Sequence, residues 1–320
     1  MKPIEPIPVE EIRAAQERIA GAVIRTSLVR LNVEDAPAEI FLKLENLQPI
    51  GSFKIRGAGN VMLLTDKKQL DKGVWTSSAG NMAQGVAWWA RRLGVECTVV
   101  VPDNAPATKL AAIERLGAKF VKEPIADWLE IFRTRHHEKV EGLYIHAFSD
   151  PAVMAGNGTI GLEILEDLPD VDSVVIPYGG GGLSCGIASA FRALKPDVKV
   201  YASEVDTGAP LAASFAVGES VKVDYTPSFV DGISAPFLFP EMWQLTRRLL
   251  DGSLVVSLDE VAAAIRMLME RNHVIAEGAG ASSVAATLAG KAGNGKVVCV
   301  VSGGNIDARK LEKILQGEVP

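Results

Sequence analysis

Short apolar runs and longer stretches of helical period follow one another along almost the whole chain. In "EIFLKLENL" (39–47), Ile40, Leu42 and Leu44 alternate with polar residues, the period of a strand with one buried face. The runs "VWTSS", "VECTVVVP", "AKFV", "LYIHAF", "DSVVIP", "VKVYASE" and "KVVCVVSGG" read as further strands. Helical patterns lie between them: "NMAQGVAWWARRLG" ends at Gly94, and "PATKLAAIERLG" opens at Pro106 and ends at Gly117. "SLDEVAAAIRMLMERN" opens on Ser257 with Glu260 three residues on, a capping box. Alternating strands and helices predict an α/β fold of parallel sheets flanked by helices. The units fall into two sets. This predicts a small domain over 73–146 and a discontinuous large domain over 1–72 and 147–320, with a cleft between them where a small molecule would bind.

Four stretches at strand ends carry candidate chemistry. After the Pro49–Gly51 turn, "SFKIRGAGNVMLL" reads as a helix capped by Ser52, which puts Lys54 in the first turn. The unpaired N–H groups there disfavour an ammonium, so its pKa should fall, and a lysine that is easily neutral is a nucleophile. Local features alone equally allow Lys54 to snorkel to solvent beside Arg56. "DSVVIPYGGGGLSCGIASAFRAL" (172–194) runs from an apolar strand through Gly179, Gly180, Gly181 and Gly182 into a helix. Glycines let successive N–H groups turn onto an anion, so a phosphate is the expected guest, although neither the Walker nor the dinucleotide spacing is met. "VWTSSAGNMAQGVAWW" (74–89) repeats the design in the other unit, where the turn Ser78, Ala79, Gly80, Asn81, Met82 suits a carboxylate; ordinary capping by Ser78 or Asn81 is the alternative. "KVVCVVSGGNID" places Ser302 at the C-terminal end of a buried strand, the edge where ligands gather in open parallel sheets.

Composition narrows the class. Over 320 residues, 48% are apolar and 22% charged, which suits an ordinary globular protein, and a net charge of −6 without basic runs argues against nucleic acid as partner. Cys97, Cys185 and Cys299 are far apart with no CxxC pair, and the four histidines show no ligand spacing, so no metal site and a reducing, cytoplasmic setting are expected. No run of 18 apolar residues suggests a membrane span, and the start of the chain lacks the apolar core of a signal peptide.

An activated lysine, a phosphate cradle and a carboxylate turn are the parts needed by pyridoxal phosphate acting on an amino acid. Over nearly its whole length the sequence resembles the threonine/serine dehydratase family of fold type II (tryptophan synthase β-like) pyridoxal phosphate enzymes. "LENLQPIGSFKIRGA", "SSAGNMAQG", "GNGTIGLEIL", "GGGG", "EGAGA" and "SGGNID" match its motifs in order. The resemblance implies that Lys54 forms the Schiff base with the cofactor, that Phe53 packs near it, and that Gly179 to Gly182 hold its phosphate. It further implies that Asn81 bonds the ring 3-oxygen, that Ser302 faces the ring nitrogen, that Gly232 and Glu277 lie near the ring, and that Ser78 to Met82 close on the substrate carboxylate. Glu277 could instead be a helix N-terminal acid.

The implied reaction is elimination of water from a β-hydroxy amino acid, giving a 2-keto acid and ammonia. The implied partners are a small amino acid and a second copy of the chain in a homodimer. Ala79 stands where racemases of the family carry a serine, so racemisation should be poor. Met82 replaces a common histidine, hinting at a larger substrate side chain. "EVDTGAP" lacks the second acid that relatives use with a residue like Glu204 to bind a cation, and the sequence ends too soon after "SGGNID" for an appended regulatory domain. Threonine and serine are the default substrates. Phenylserine and hydroxyaspartate stay open, the latter needing a cation such as Arg56 or Arg133 in the pocket. β-Replacement enzymes and racemases share the fold; a nucleotide-binding dehydrogenase or an amino-acid sensor are the readings from other classes.

Overall fold

The computed structural model describes residues 4–233 and 235–320. Its strands are β1 (Leu28–Arg30), β2 (Glu39–Leu44), β3 (Val74–Ser77), β4 (Cys97–Pro102), β5 (Lys119–Glu123), β6 (Leu143–Tyr144), β7 (Ser173–Pro177), β8 (Lys199–Val205), β9 (Gly252–Val256) and β10 (Lys296–Val301). They form a six-stranded sheet in the order β1-β2-β10-β7-β8-β9 and a four-stranded sheet in the order β5-β4-β3-β6. Every pairing is parallel except β1 with β2.

Both faces of the larger sheet are covered, which is why its central strands read as unbroken apolar runs. In β10, Val298 and Val300 join one core cluster while Val297, Cys299 and Val301 join another. A third cluster sits around β3 and β4 and takes in Ile55, Ala58 and Met62 of the helix Lys54–Leu64, so that helix packs where the two sheets meet.

Each run read as a strand contains one, although "LYIHAF" keeps only Leu143–Tyr144. β1 and β9 were not anticipated, being a three-residue strand and a half-exposed edge strand without a long apolar run. Gly94 closes its helix in the left-handed conformation, and the Ser257–Glu260 box forms in both directions. Ser52 caps nothing: Phe53 occupies the cap position of its helix, and Ser52 is drawn instead into a bridge with Gly303.

One departure from the alternating pattern is instructive. Lys43, on the expected polar face of β2, is fully buried. The helix Pro151–Asp167 covers that face and supplies Glu163, whose carboxylate lies 2.6 Å from the Lys43 amine and 2.6 Å from Arg56. Arg56 also bonds Glu45 at 2.8 Å, and Thr26 supplies its carbonyl to Lys43 and its hydroxyl to Glu45. Two cations and two carboxylates are thus buried as a balanced tetrad.

Removing one member of such a group strands the others in low dielectric. Glu163→Ala should therefore lower the unfolding free energy in urea by about 3–5 kcal/mol. Lys119→Ala, which breaks an exposed pair with Glu96, should cost less than about 1 kcal/mol. Equal midpoints for the two variants would show that the tetrad does not hold the fold.

Candidate active site

The C-terminal ends of β2, β3, β7 and β10 deliver the loops that meet at the site, as parallel sheets lead one to expect. The segment before Lys54 is fixed by the turn after β10. Phe53 N–H donates to Ser302 O at 3.0 Å, and Gly304 N–H donates to Gly51 O at 2.9 Å. Lys54 is the first residue of its helix, and its amine donates to Ala147 O at 2.7 Å, 5.0 Å from the centroid of the Phe53 ring.

Burial pushes the Lys54 ammonium down to about 8, against the opposing pull of the Glu277 carboxylate. The direction is the one expected, and desolvation of the amine is its largest cause. It does not snorkel beside Arg56, which lies in the buried tetrad.

Glu277 precedes the helix Gly278–Leu288 without capping it by side chain. Its N–H donates to Gly303 O at 3.0 Å, and its carboxylate accepts from Asn81 Nδ2 at 2.8 Å. Burial, with the negative charge of Asp231 next, pushes it up to about 7. Gly232 approaches the same carboxylate: a Cβ there would lie 3.9 Å from Glu277 Oε1. Ser302 is buried beside them.

The glycine loop runs from β7 to the helix Gly182–Leu194. Among the described residues, no protein acceptor receives the N–H groups of Gly179, Gly180 or Gly181. The loop is gripped from both sides. A Cβ on Gly180 would stand 2.2 Å from the Phe148 ring, and one on Gly179 would stand 3.1 Å from Gly232 O. Only backbone fits, so the loop presents its N–H groups and little else.

At the other wall, Ser78 Oγ accepts from Gly80 N–H at 3.2 Å, and Gly80, not Ser78 or Asn81, is the cap residue of the helix Asn81–Leu93. The side chains of Ala79 and Asn81 are half-buried. Met82 is 1% exposed and packs into the core around β3 and β4, so its side chain does not enlarge the pocket; only its N–H belongs to the turn. Arg133 lies on an exposed helix face paired with Glu130. Neither it nor Arg56 is free to hold a substrate carboxylate.

Glu204 spends its oxygens on Leu211 N–H, Ala212 N–H and Ser253 Oγ, and no cluster of three metal-type side chains occurs among the described residues. No helix among them is long and apolar enough to cross a membrane.

Three contributors were not singled out in the residue patterns. Ala147 and Phe148 follow β6 at the same sheet edge, a position that could have marked them. Asn305, within "SGGNID", donates to Asn81 Oδ1 at 2.7 Å. An amine held on Ala147 O, and N–H groups without protein acceptors among the described residues on a loop packed against the adjacent Phe148, fit a phosphorylated aldehyde.

The comparisons with known proteins agree. Residues 19–303 match the family model described as pyridoxal-phosphate dependent enzyme. The chain is 41% identical to the L-threonine ammonia-lyase of Thermotoga maritima over 97% of its length and 78% of the relative's. It is 40% identical to the catabolic L-threonine dehydratase of Escherichia coli K12 over 97% of its own length and 96% of the relative's. Among solved structures it resembles maize serine racemase, with a TM-score of 0.89, 33% identity and 98% of each chain covered. This chain belongs to the pyridoxal-phosphate-dependent enzyme family.

Proposed function

We propose that the protein is a pyridoxal-phosphate-dependent ammonia-lyase that converts L-threonine, and L-serine less preferentially, to a 2-keto acid and ammonia. The observation that carries this reading is the Lys54 amine held on Ala147 O at 2.7 Å, one residue before the Phe148 that packs against Gly180 and Gly182 of the glycine loop. Two relatives at 40% identity or more bear names for this reaction on threonine.

In this reading Lys54 would bind the cofactor aldehyde, Gly179 to Gly182 would hold its phosphate, and Phe53, Gly232 and Glu277 would line its ring. Asn81 would donate to the ring 3-oxygen, and Ser302 would stand at the ring nitrogen. Bound there, pyridoxal phosphate supplies a sink for the electrons left when the Cα–H bond breaks. The turn Ser78 to Met82, whose Gly80 N–H is given to Ser78 Oγ, would hold the substrate carboxylate through its remaining N–H groups and so orient Cα toward Lys54. The neutral Lys54 amine would take the Cα proton, and that proton and the β-hydroxyl would leave together as water, so that the substrate loses one water and becomes an enamine. The enamine tautomerises to an imine and takes up one water in solution, giving the 2-keto acid and ammonia.

Ser302 favours this outcome, because a hydroxyl cannot hold a pyridine nitrogen protonated as a carboxylate would. Ala79 offers no proton to the opposite face of Cα, which disfavours racemisation. With Arg56 and Arg133 engaged elsewhere and Met82 in the core, nothing in the turn selects a charged or aromatic side chain. We take residues 73–146 as the small domain and the rest as the large one, a division supported by the four-stranded sheet lying wholly within 73–146. A cytoplasmic homodimer completes the reading; the three free, buried cysteines suit a reducing compartment.

Threonine should give keto acid and ammonia in equal amounts, faster than phenylserine or hydroxyaspartate. Lys54→Ala should abolish the visible absorption of bound cofactor and lower turnover by at least about 100-fold, the lower end of general-base contributions. A preference for phenylserine would overturn the substrate assignment, and turnover by Lys54→Ala would overturn the mechanism.

Covalent loading of the apo-protein needs the neutral amine, so its rate should rise with pH to a midpoint near about 8 rather than that of an ordinary lysine. Glu277 holds the Lys54 pKa up. Glu277→Gln should therefore move that midpoint to lower pH in stopped-flow absorbance measurements; a shift to higher pH would contradict the assigned coupling.

A further inference from the structure

Asn305 sits at the mouth of the site on the turn after β10, exposed and outside every role assigned above. Its Nδ2 donates twice, to Ile50 O at 2.9 Å and to Asn81 Oδ1 at 2.7 Å. An amide nitrogen has two hydrogens, so both are used. The space for this side chain is built into the neighbouring turn. Gly51 takes a φ of +70°, and a Cβ there would stand 2.8 Å from Asn305 Oδ1.

We propose that Asn305 is a positioning residue that, together with the Glu277 carboxylate, fixes which way the Asn81 amide faces, and thereby aims the Asn81 nitrogen into the cleft at the cofactor's 3-oxygen. This deepens the function proposed above and rests on its assignment of Asn81.

The two ends of an asparagine amide are alike in size, so only hydrogen bonds choose between them. Here the choice is forced in sequence. Ile50 O is a backbone carbonyl that can only accept, so Asn305 must present its nitrogen to that side. The second hydrogen of that nitrogen meets Asn81 and requires an acceptor, which makes Oδ1 the atom facing Asn305. Asn81 Nδ2 then points toward Glu277 Oε1 at 2.8 Å, an acceptor that asks for the same orientation. That contact uses one of its hydrogens and leaves the other for an acceptor in the cleft. A carbonyl in the turn before Lys54 and the carboxylate of Glu277 thus set the polarity of this donor from its two ends.

A hydrogen bond donated to the ionised 3-oxygen favours that form, which absorbs at longer wavelength than the neutral one. The test compares Asn305→Asp, Asn305→Ala, Asn81→Ala and the double variant Asn81→Ala/Asn305→Asp as cofactor-loaded proteins. Asn305→Asp replaces two donors by acceptors, so Asn81 would turn its nitrogen outward to the new carboxylate.

The ratio of visible to near-ultraviolet absorption should fall in Asn81→Ala and in Asn305→Asp, and less in Asn305→Ala. It should fall no further in the double variant than in Asn81→Ala alone. Turnover should drop about tenfold in Asn305→Asp, carried in kcat rather than KM. The thermal midpoint of the apo-protein should stay unchanged, since Asn305 is exposed.

A normal ratio in both Asn305 variants, with a lowered one in Asn81→Ala, would overturn the positioning role and leave the cofactor contact of Asn81 standing. A normal ratio in Asn81→Ala itself would overturn the reading of Asn81 and this inference with it. Additive losses in the double variant would show that Asn305 acts by another route.

Discussion

The strand-like contact between residues 51–53 and the turn Ser302–Gly304 is the constraint on which the site depends. β2 and β10 lie side by side in parallel, with Leu44 opposite Val301. The two chains leaving those strands then stay attached through Phe53 N–H to Ser302 O, Gly304 N–H to Gly51 O and the Ser52–Gly303 bridge. Lys54 follows this contact by one residue, and Glu277 is tied to Gly303 from the other side. The distance between the amine and the buried carboxylate is therefore inherited from one sheet register. A slip of one residue in that register would turn every side chain of β10 to the opposite face.

Two cations on one helix show what partners do to a charge. Arg56, buried, touches two carboxylates directly and is held charged by them. Lys54, two residues earlier, has among the described residues only a backbone carbonyl at hydrogen-bond distance, while Glu277 acts on it without contact. Desolvation is common to both sites, and the directly bonded counter-charge decides the outcome.

Much of this was legible in the residues. β10 and β7 announce themselves because alternate side chains feed different cores, so the whole strand is apolar. Gly179 to Gly182 and the turn before Asn81 were visible because a strand, a run of small residues and a helix follow in that order. Lys43 was misread as solvated because the alternation in β2 is local, whereas Glu163 reaches it across the fold. Ser52 looked like a cap because it precedes a helix, but a tertiary strand contact outcompeted that local bond. Met82 suggested a pocket residue because side-chain direction at a helix start is not fixed by order alone. Asn305 stayed silent because an amide's orientation depends on partners distant in the chain.

The buried tetrad also governs how this enzyme could be recombined with its relatives. Its charges come from residues 43, 45, 56 and 163, with Arg56 and Glu163 separated by 107 positions. A chimera with one junction anywhere between 57 and 162 would inherit three charges from one parent and the carboxylate that balances two of them from the other. Exchange of 73–146 as a cassette, with both junctions outside the tetrad, leaves it whole. The four-stranded sheet is in this sense a replaceable part and the ionic core a fixed one, so new substrate walls can be grafted without disturbing the charges beneath Lys54.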